Sequence, residues 1–168
     1  DDYVRVNDPL ILNQNGGLTI TATIKPKDMP QGGNREIIRD SENDFIFSFQ
    51  NNGTILSFGL RVNDSYSELD VQINPQDFNN QVNNVTATFD GSNKKVYLNG
   101  ELIGTQSQPG ALSYDADWLA IGSHSGLYEW FHGDINDLRI WNRSLSVDEI
   151  QYFVENSENP TEEDLVAM

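Results

Sequence analysis

One short run after another places apolar residues at every second position. Leu18, Ile20, Ala22 and Ile24 alternate with Thr19, Thr21 and Thr23, and Phe45, Phe47 and Phe49 line one side of a later run. Leu56, Phe58, Leu60 and Val62 follow, then Leu69, Val71 and Ile73, then Val85, Ala87 and Phe89. A period of two sends one set of side chains inward and the other outward, so each run reads as a half-buried β-strand. Gly, Asn, Asp and Pro separate the runs, and Asn99-Gly100 has the preferred composition of a type I′ hairpin. Strands at this spacing predict an all-β fold of two antiparallel sheets packed face to face.

The stretch Trp130 to Gln151 departs from this rhythm in an informative way. Leu138 and Ile140 alternate with Asp137, Arg139 and Trp141, whereas Phe131 and Ile135 sit in the opposite phase. The slip predicts a β-bulge near Asn136 and Asp137. Ser146 and Glu149 have capping-box spacing, and Leu145 can pack on Ile150, so a short helix follows the strand.

A chain of 168 residues is long enough to bury about two thirds of its unfolded surface in one core. Nothing resembling a linker divides it, and one domain is expected over residues 1–156, with 157–168 an acidic tail, a last helical turn from Thr161 or the start of a linker. Because a strand-like segment begins within the first residues, the chain is expected to be one module of a larger exported protein. No apolar run is long enough for a membrane helix, so membrane insertion is not expected. The 26 acids and 10 bases leave a net charge of -16. That charge disfavours nucleic acid, which needs clustered Lys and Arg, and favours divalent cations. The absence of cysteine excludes disulfides and thiolate zinc sites.

Two blocks carry a family likeness. The first is Gly133, Ile135, Asn136, Asp137, Arg139, Ile140, Trp141, Asn142, Arg143, Leu145, Ser146, Glu149 and Ile150; the second is Val85 to Thr105, with Asp90-Gly91, Asn99-Gly100 and Gly104-Thr105. With an opening Asp2-Tyr3-Val4 and Leu119 to Gly122, the pattern resembles the laminin-G-like branch of the concanavalin-A-like lectin and glucanase jelly rolls, and covers almost the whole chain. The resemblance implies a jelly-roll sandwich, a secreted or cell-surface setting, and a glycan or glycoprotein as partner. Two positions depart from it. Thr23 or Ile24 stands where relatives often carry a core Trp, and Val82, Asn83 and Asn84 stand where they carry Trp-x-His.

Glycoside hydrolases of this superfamily carry Glu-x-Asp-x-x-Glu on one strand. Here Glu68 and Asp70 lack a third acid, and His124 and His132 have no nucleophile motif beside them. A noncatalytic module is therefore expected. Tyr114 to Phe131 is dense in aromatic and polar residues, and sugars stack on aromatic rings while carboxylates and amides take their hydroxyls. Trp130 and Tyr128 are the expected platforms, His124 and Glu129 the polar partners, with Trp118 either part of the rim or a cap on the core, and Tyr66 a loop residue nearby. The competing reading is a protein-interaction, adhesion or spacer module. By resemblance, a structural calcium ion (Ca2+) would draw on Asn136, with Asp137 beside it and Asp2 from the first strand. Asp40, Glu42, Asn43 and Asp44 form a second acidic cluster, read as a hydrophilic turn. Sequons at Asn52, Asn63, Asn84 and Asn142 matter only in a eukaryotic secretory route.

Overall fold

The computed structural model describes residues 2–7, 16–29, 32–42, 44–114 and 116–156, with the backbone of 165–167. The described residues form twelve strands: β1 (Val4–Asn7), β2 (Leu18–Pro26), β3 (Arg35–Asp40), β4 (Phe45–Gln50), β5 (Ile55–Val62), β6 (Ser65–Gln72), β7 (Asn83–Phe89), β8 (Asn93–Leu98), β9 (Glu101–Ser107), β10 (Trp118–Ile121), β11 (Gly133–Trp141) and β12 (Leu165–Ala167). An α-helix, α1 (Val147–Glu155), follows β11. The first sheet runs β1-β10-β3-β4-β5-β6 and the second β12-β11-β2-β7-β8-β9. Every pairing in both sheets is antiparallel, as the short Gly- and Asn-rich turns require. Asn99 and Gly100 both take positive φ, as a type I′ turn demands.

The alternating residues meet between the sheets. Ile20, Ala22 and Ile24 of the second sheet face Phe45, Phe47, Phe49, Leu56 and Phe58 of the first in one continuous core. Phe78, in the turn-rich connection before β7, also enters it and meets Phe49 edge to face at 5.2 Å. Lys94 of β8 is buried and crosses to the first sheet, its Nζ donating to the Ser67 carbonyl at 2.6 Å and to Ser67 Oγ at 3.0 Å. Burial pushes this ammonium down to about 8, against the pull of Glu68 and Asp70.

The outer face of the second sheet corrects the half-buried reading of β2. Thr19 is 0% exposed and Trp141 1%, although both sit in the outward phase, paired with each other across β2 and β11. Helix α1 covers them, and Tyr97, Trp141, Leu145, Ile150 and Phe153 form a second apolar layer. Trp141 lies 5.1 Å from the Phe153 ring, and the Arg139 guanidinium stands 5.5 Å above that ring. Thr19 Oγ1 donates to the Arg143 carbonyl and accepts from Leu145 N, which fixes the chain as it leaves β11. Gly17 permits this approach, since a Cβ there would stand 2.6 Å from Ser144 N.

The predicted bulge lies between Asn136 and Arg139, with Asp137 at φ 52°. It shifts Ile140 into the inward phase, so Ile135 and Ile140 both serve the core. The capping box forms as expected: Ser146 Oγ accepts from Glu149 N, and the Glu149 carboxylate accepts from Ser146 N. Hydrogen bonding from Arg143 draws the Glu149 carboxyl down to about 2. Thr161 lies outside the described residues, but Leu165–Ala167 pairs with Ile140 and Trp141 as an edge strand.

Replacing Trp141 with Ala removes the centre of the outer layer and is expected to cost about 3–5 kcal/mol. Ser146→Ala removes only a cap and is expected to cost about 1 kcal/mol. Urea unfolding of the two variants beside the parent chain checks that ranking.

Candidate functional site

The outer face of the first sheet is polar where its inner face is aromatic. Across the strands, Glu36 of β3 pairs with Ser48 of β4, Ser48 with Ser57 of β5, and Ser57 with Asp70 of β6. Arg39 occupies the adjoining row, beside Ala120 and Ile46. Ser57 Oγ donates to Asp70 at 2.7 Å and to Glu68 at 3.3 Å, and Glu68 also receives Tyr66 Oη at 2.8 Å and Gln50 Nε2 at 3.2 Å.

The connection from β10 to β11 folds back onto this face. His124 N donates to the Tyr128 carbonyl at 2.9 Å, closing a tight loop in which Ser125 and Glu129 adopt positive φ. Glu36 N then donates to the Glu129 carbonyl at 3.0 Å, stitching the loop to β3. The Glu129 carboxylate is thereby held 3.1 Å from His124 Nδ1, 3.3 Å from Asn34 Nδ2 and 3.5 Å from Arg39 Nη1. Arg39 Nη1 also donates to Glu36 Oε1 at 3.0 Å. Glu36 is 0% exposed, and burial pushes its carboxyl up to about 8, Arg39 opposing and the Glu129 charge adding to the rise.

Four predicted residues therefore come together. Tyr128 is 50% exposed, its ring 4.4 Å from His124. Trp130 is half-buried, packed edge to face on Tyr3 at 6.0 Å. Its ring borders two shallow hollows of about 210 and 360 Å³, the first lined also by Asn34, Glu129 and His132, the second by Asp2, Lys27, Asp28 and His132. Trp118 stands apart, at the far end of β10, with the Arg5 guanidinium 4.9 Å over its ring. It is absent from the core cluster and so does not cap it. Tyr66 lies within β6, not in a loop, because Asn63 and Asp64 alone make the turn. Its phenol packs over Gly59, where no side chain fills the space, and burial beside Glu68 raises its pKa.

The residues named for calcium divide between two places. Asp2 and Asn136 line one hollow of about 320 Å³ at the open edge between the sheets, joined by Asp134. Asp137 does not line it, because the bulge turns its carboxylate to an ion pair with Arg139. In the other acidic cluster, Asp40 is buried and accepts from Asp44 N at 2.9 Å and Phe45 N at 3.2 Å, while Asp44 pairs with Arg61 at 2.6 Å. Those bonds make it a turn, as expected, with Asn43 outside the described residues.

Sequence reasoning missed Glu36 and Arg39, and weighed His132 only for catalysis. Glu36 and Arg39 carried no motif, and their opposite phases in β3 reach the same face only through a register shift between Glu36 and Ile38. Also missed was a wide hollow of about 690 Å³ beside the Asn63-Asp64 turn, lined by Asp44, Arg61 and Tyr114.

Residues 1–151 match the family model described as the concanavalin A-like lectin/glucanases superfamily. The chain belongs to that superfamily. Among solved structures, this concanavalin A-like chain is similar to the receptor-binding domain of the botulinum neurotoxin C/D mosaic serotype, with 19% identity, a TM-score of 0.71, and coverage of 92% of this chain and 40% of that one. The serotype G binding domain gives 16% identity, a TM-score of 0.74, and coverage of 92% and 40%. Botulinum neurotoxin type C, which enters cells dependent upon interaction with two ganglioside molecules, gives 16% identity, a TM-score of 0.69, and coverage of 94% and 40%. The concanavalin A-like chain thus spans about two fifths of these neighbours, and the likeness is one of fold. No curated protein matches its sequence.

Asp40 offers a pH test. Burial raises its carboxyl to about 7, the bonds from Asp44 N and Phe45 N opposing and the Asp44 charge adding. The folded chain thus holds a proton that the unfolded chain releases near pH 4. Its contribution is complete below that pH and is lost as pH rises toward 7. Asp40→Asn is expected to flatten the fall of thermal stability between pH 4.5 and 7, read as Tm at half-unit steps.

Proposed function

We propose that this chain is a noncatalytic carbohydrate-binding module, taking its glycan on the loop face formed by Tyr128, Trp130, His124 and Glu129. The observation that carries the reading is Trp130 bordering two polar hollows, two residues along the same loop from a half-exposed Tyr128. Aromatic faces stack on sugar C–H surfaces, and the flanking Asn34, Glu129 and His132 supply donors and acceptors for hydroxyls. The neighbours support a glycan in general terms: type C enters cells through two gangliosides, and a type DC binding domain is known with SialylT. A secreted or cell-surface setting within a multidomain protein belongs to the same reading. Noncatalytic action is supported by Glu68 and Asp70, which are tied to Ser57, Tyr66 and Gln50 and have no third acid on β6.

A second reading has one observation in its favour. Leu127, at the tip of the same loop, is 75% exposed beside Tyr128, as suits a contact with a protein surface.

A glycan array separates the two. The parent chain is expected to bind a defined subset of glycans, and Trp130→Ala is expected to lose about tenfold or more in affinity, since stacking and burial contribute on the order of 1.4 kcal/mol or more. Absence of binding across a broad array favours the protein contact. For calcium, the proposal narrows to the Asp2, Asp134 and Asn136 hollow: millimolar calcium is expected to raise Tm, and Asp2→Asn to abolish the rise, in a thermal-shift titration.

A further inference from the structure

We propose that Glu36, His124 and Glu129 bind one divalent transition-metal ion of the zinc class. Each offers one ligand atom, and the three atoms lie within 4.8 Å of one another. Around a single zinc ion such atoms stand roughly 3.3 Å apart, so side-chain rotation by about an ångström closes the site.

The second observation is an unsatisfied atom. Arg39 takes Glu36 Oε1, but Oε2 of this fully buried side chain has no hydrogen-bond partner. Ser48 Oγ, cross-strand from Glu36 and also fully buried, has none either. A buried polar atom without a partner costs about 1–3 kcal/mol, so a pair of them side by side points to a missing group. Water would satisfy the hydroxyl. Glu36 and Glu129 share the one guanidinium of Arg39.

The surroundings suit a metal centre. Arg39 orients the Glu36 carboxylate, and Tyr128 Oη lies 3.4 Å from His124 Nε2, leaving Nδ1 toward Glu129. Such outer contacts fix ligand geometry. The bonds from Glu36 N to the Glu129 carbonyl and from His124 N to the Tyr128 carbonyl hold both ligand-bearing segments before any ion arrives. Two oxygens and one imidazole nitrogen match a borderline divalent ion and fall short of the six to eight oxygens calcium prefers. Remaining coordination positions are left for water or for a ligand's hydroxyl.

Calorimetric titration of the whole chain with zinc chloride tests the site. One ion per chain is expected, with Glu36→Gln and His124→Ala each weakening binding by about 100-fold, while Glu101→Gln, a surface acid outside the cluster, leaves it unchanged. Circular dichroism confirms that each variant is folded. Cobalt(II) is expected to give visible absorption bands that both variants lose. No binding at millimolar zinc, several weak sites, or one site indifferent to Glu36→Gln and His124→Ala overturns the proposal.

Discussion

Pairing of β11 with β2 is the constraint on which the rest depends. It runs from Gly133 opposite Pro26 to Trp141 opposite Thr19, broken once at the bulge. On the inner side it places Ile135 and Ile140 against the common core; on the outer side it presents Trp141 for α1 to cover. Because side chains alternate strictly along a strand, a slip of one residue would exchange those roles. The bulge at Asp137 reconciles two opposed phases within a single strand. It also turns the Asp137 carboxylate to Arg139, whose guanidinium then lies over Phe153.

Local periodicity made the strands legible before any coordinates. Phe45, Phe47 and Phe49, or Leu56 to Val62, can alternate for one physical reason, a face turned to a core. Ser146 and Glu149 were equally readable, since a capping box is a contact across three residues. Contacts between distant segments were not readable in this way. Thr19 looked solvent-facing, because its burial depends on a helix more than a hundred residues later. Phe78 lay among turn residues, and its place in the core follows from the connection doubling back onto Phe49. Tyr66 was assigned to a loop because the two-residue turn at Asn63 and Asp64 is shorter than its composition suggested.

The site shows the same division. Tyr128, Trp130, His124 and Glu129 stood out as a cluster in sequence, and the loop does gather them. Glu36 and Arg39 were silent, since they fall in opposite phases of β3 and only the register shift before Ile38 brings both to the outer face. Only the fold-back of the loop turns Glu36 from a surface acid into a buried one. The calcium residues separated for a related reason: Asn136 and Asp137 are neighbours in sequence, but the bulge sends them to different surroundings.

The short pairing of Leu165–Ala167 with Ile140 and Trp141 has a consequence for handling the protein. Those residues occupy the free hydrogen-bonding margin of the second sheet, the side on which another strand would otherwise add. A version cut after Asn156 would bare that margin next to Trp141 and invite copies to zip together through their backbones.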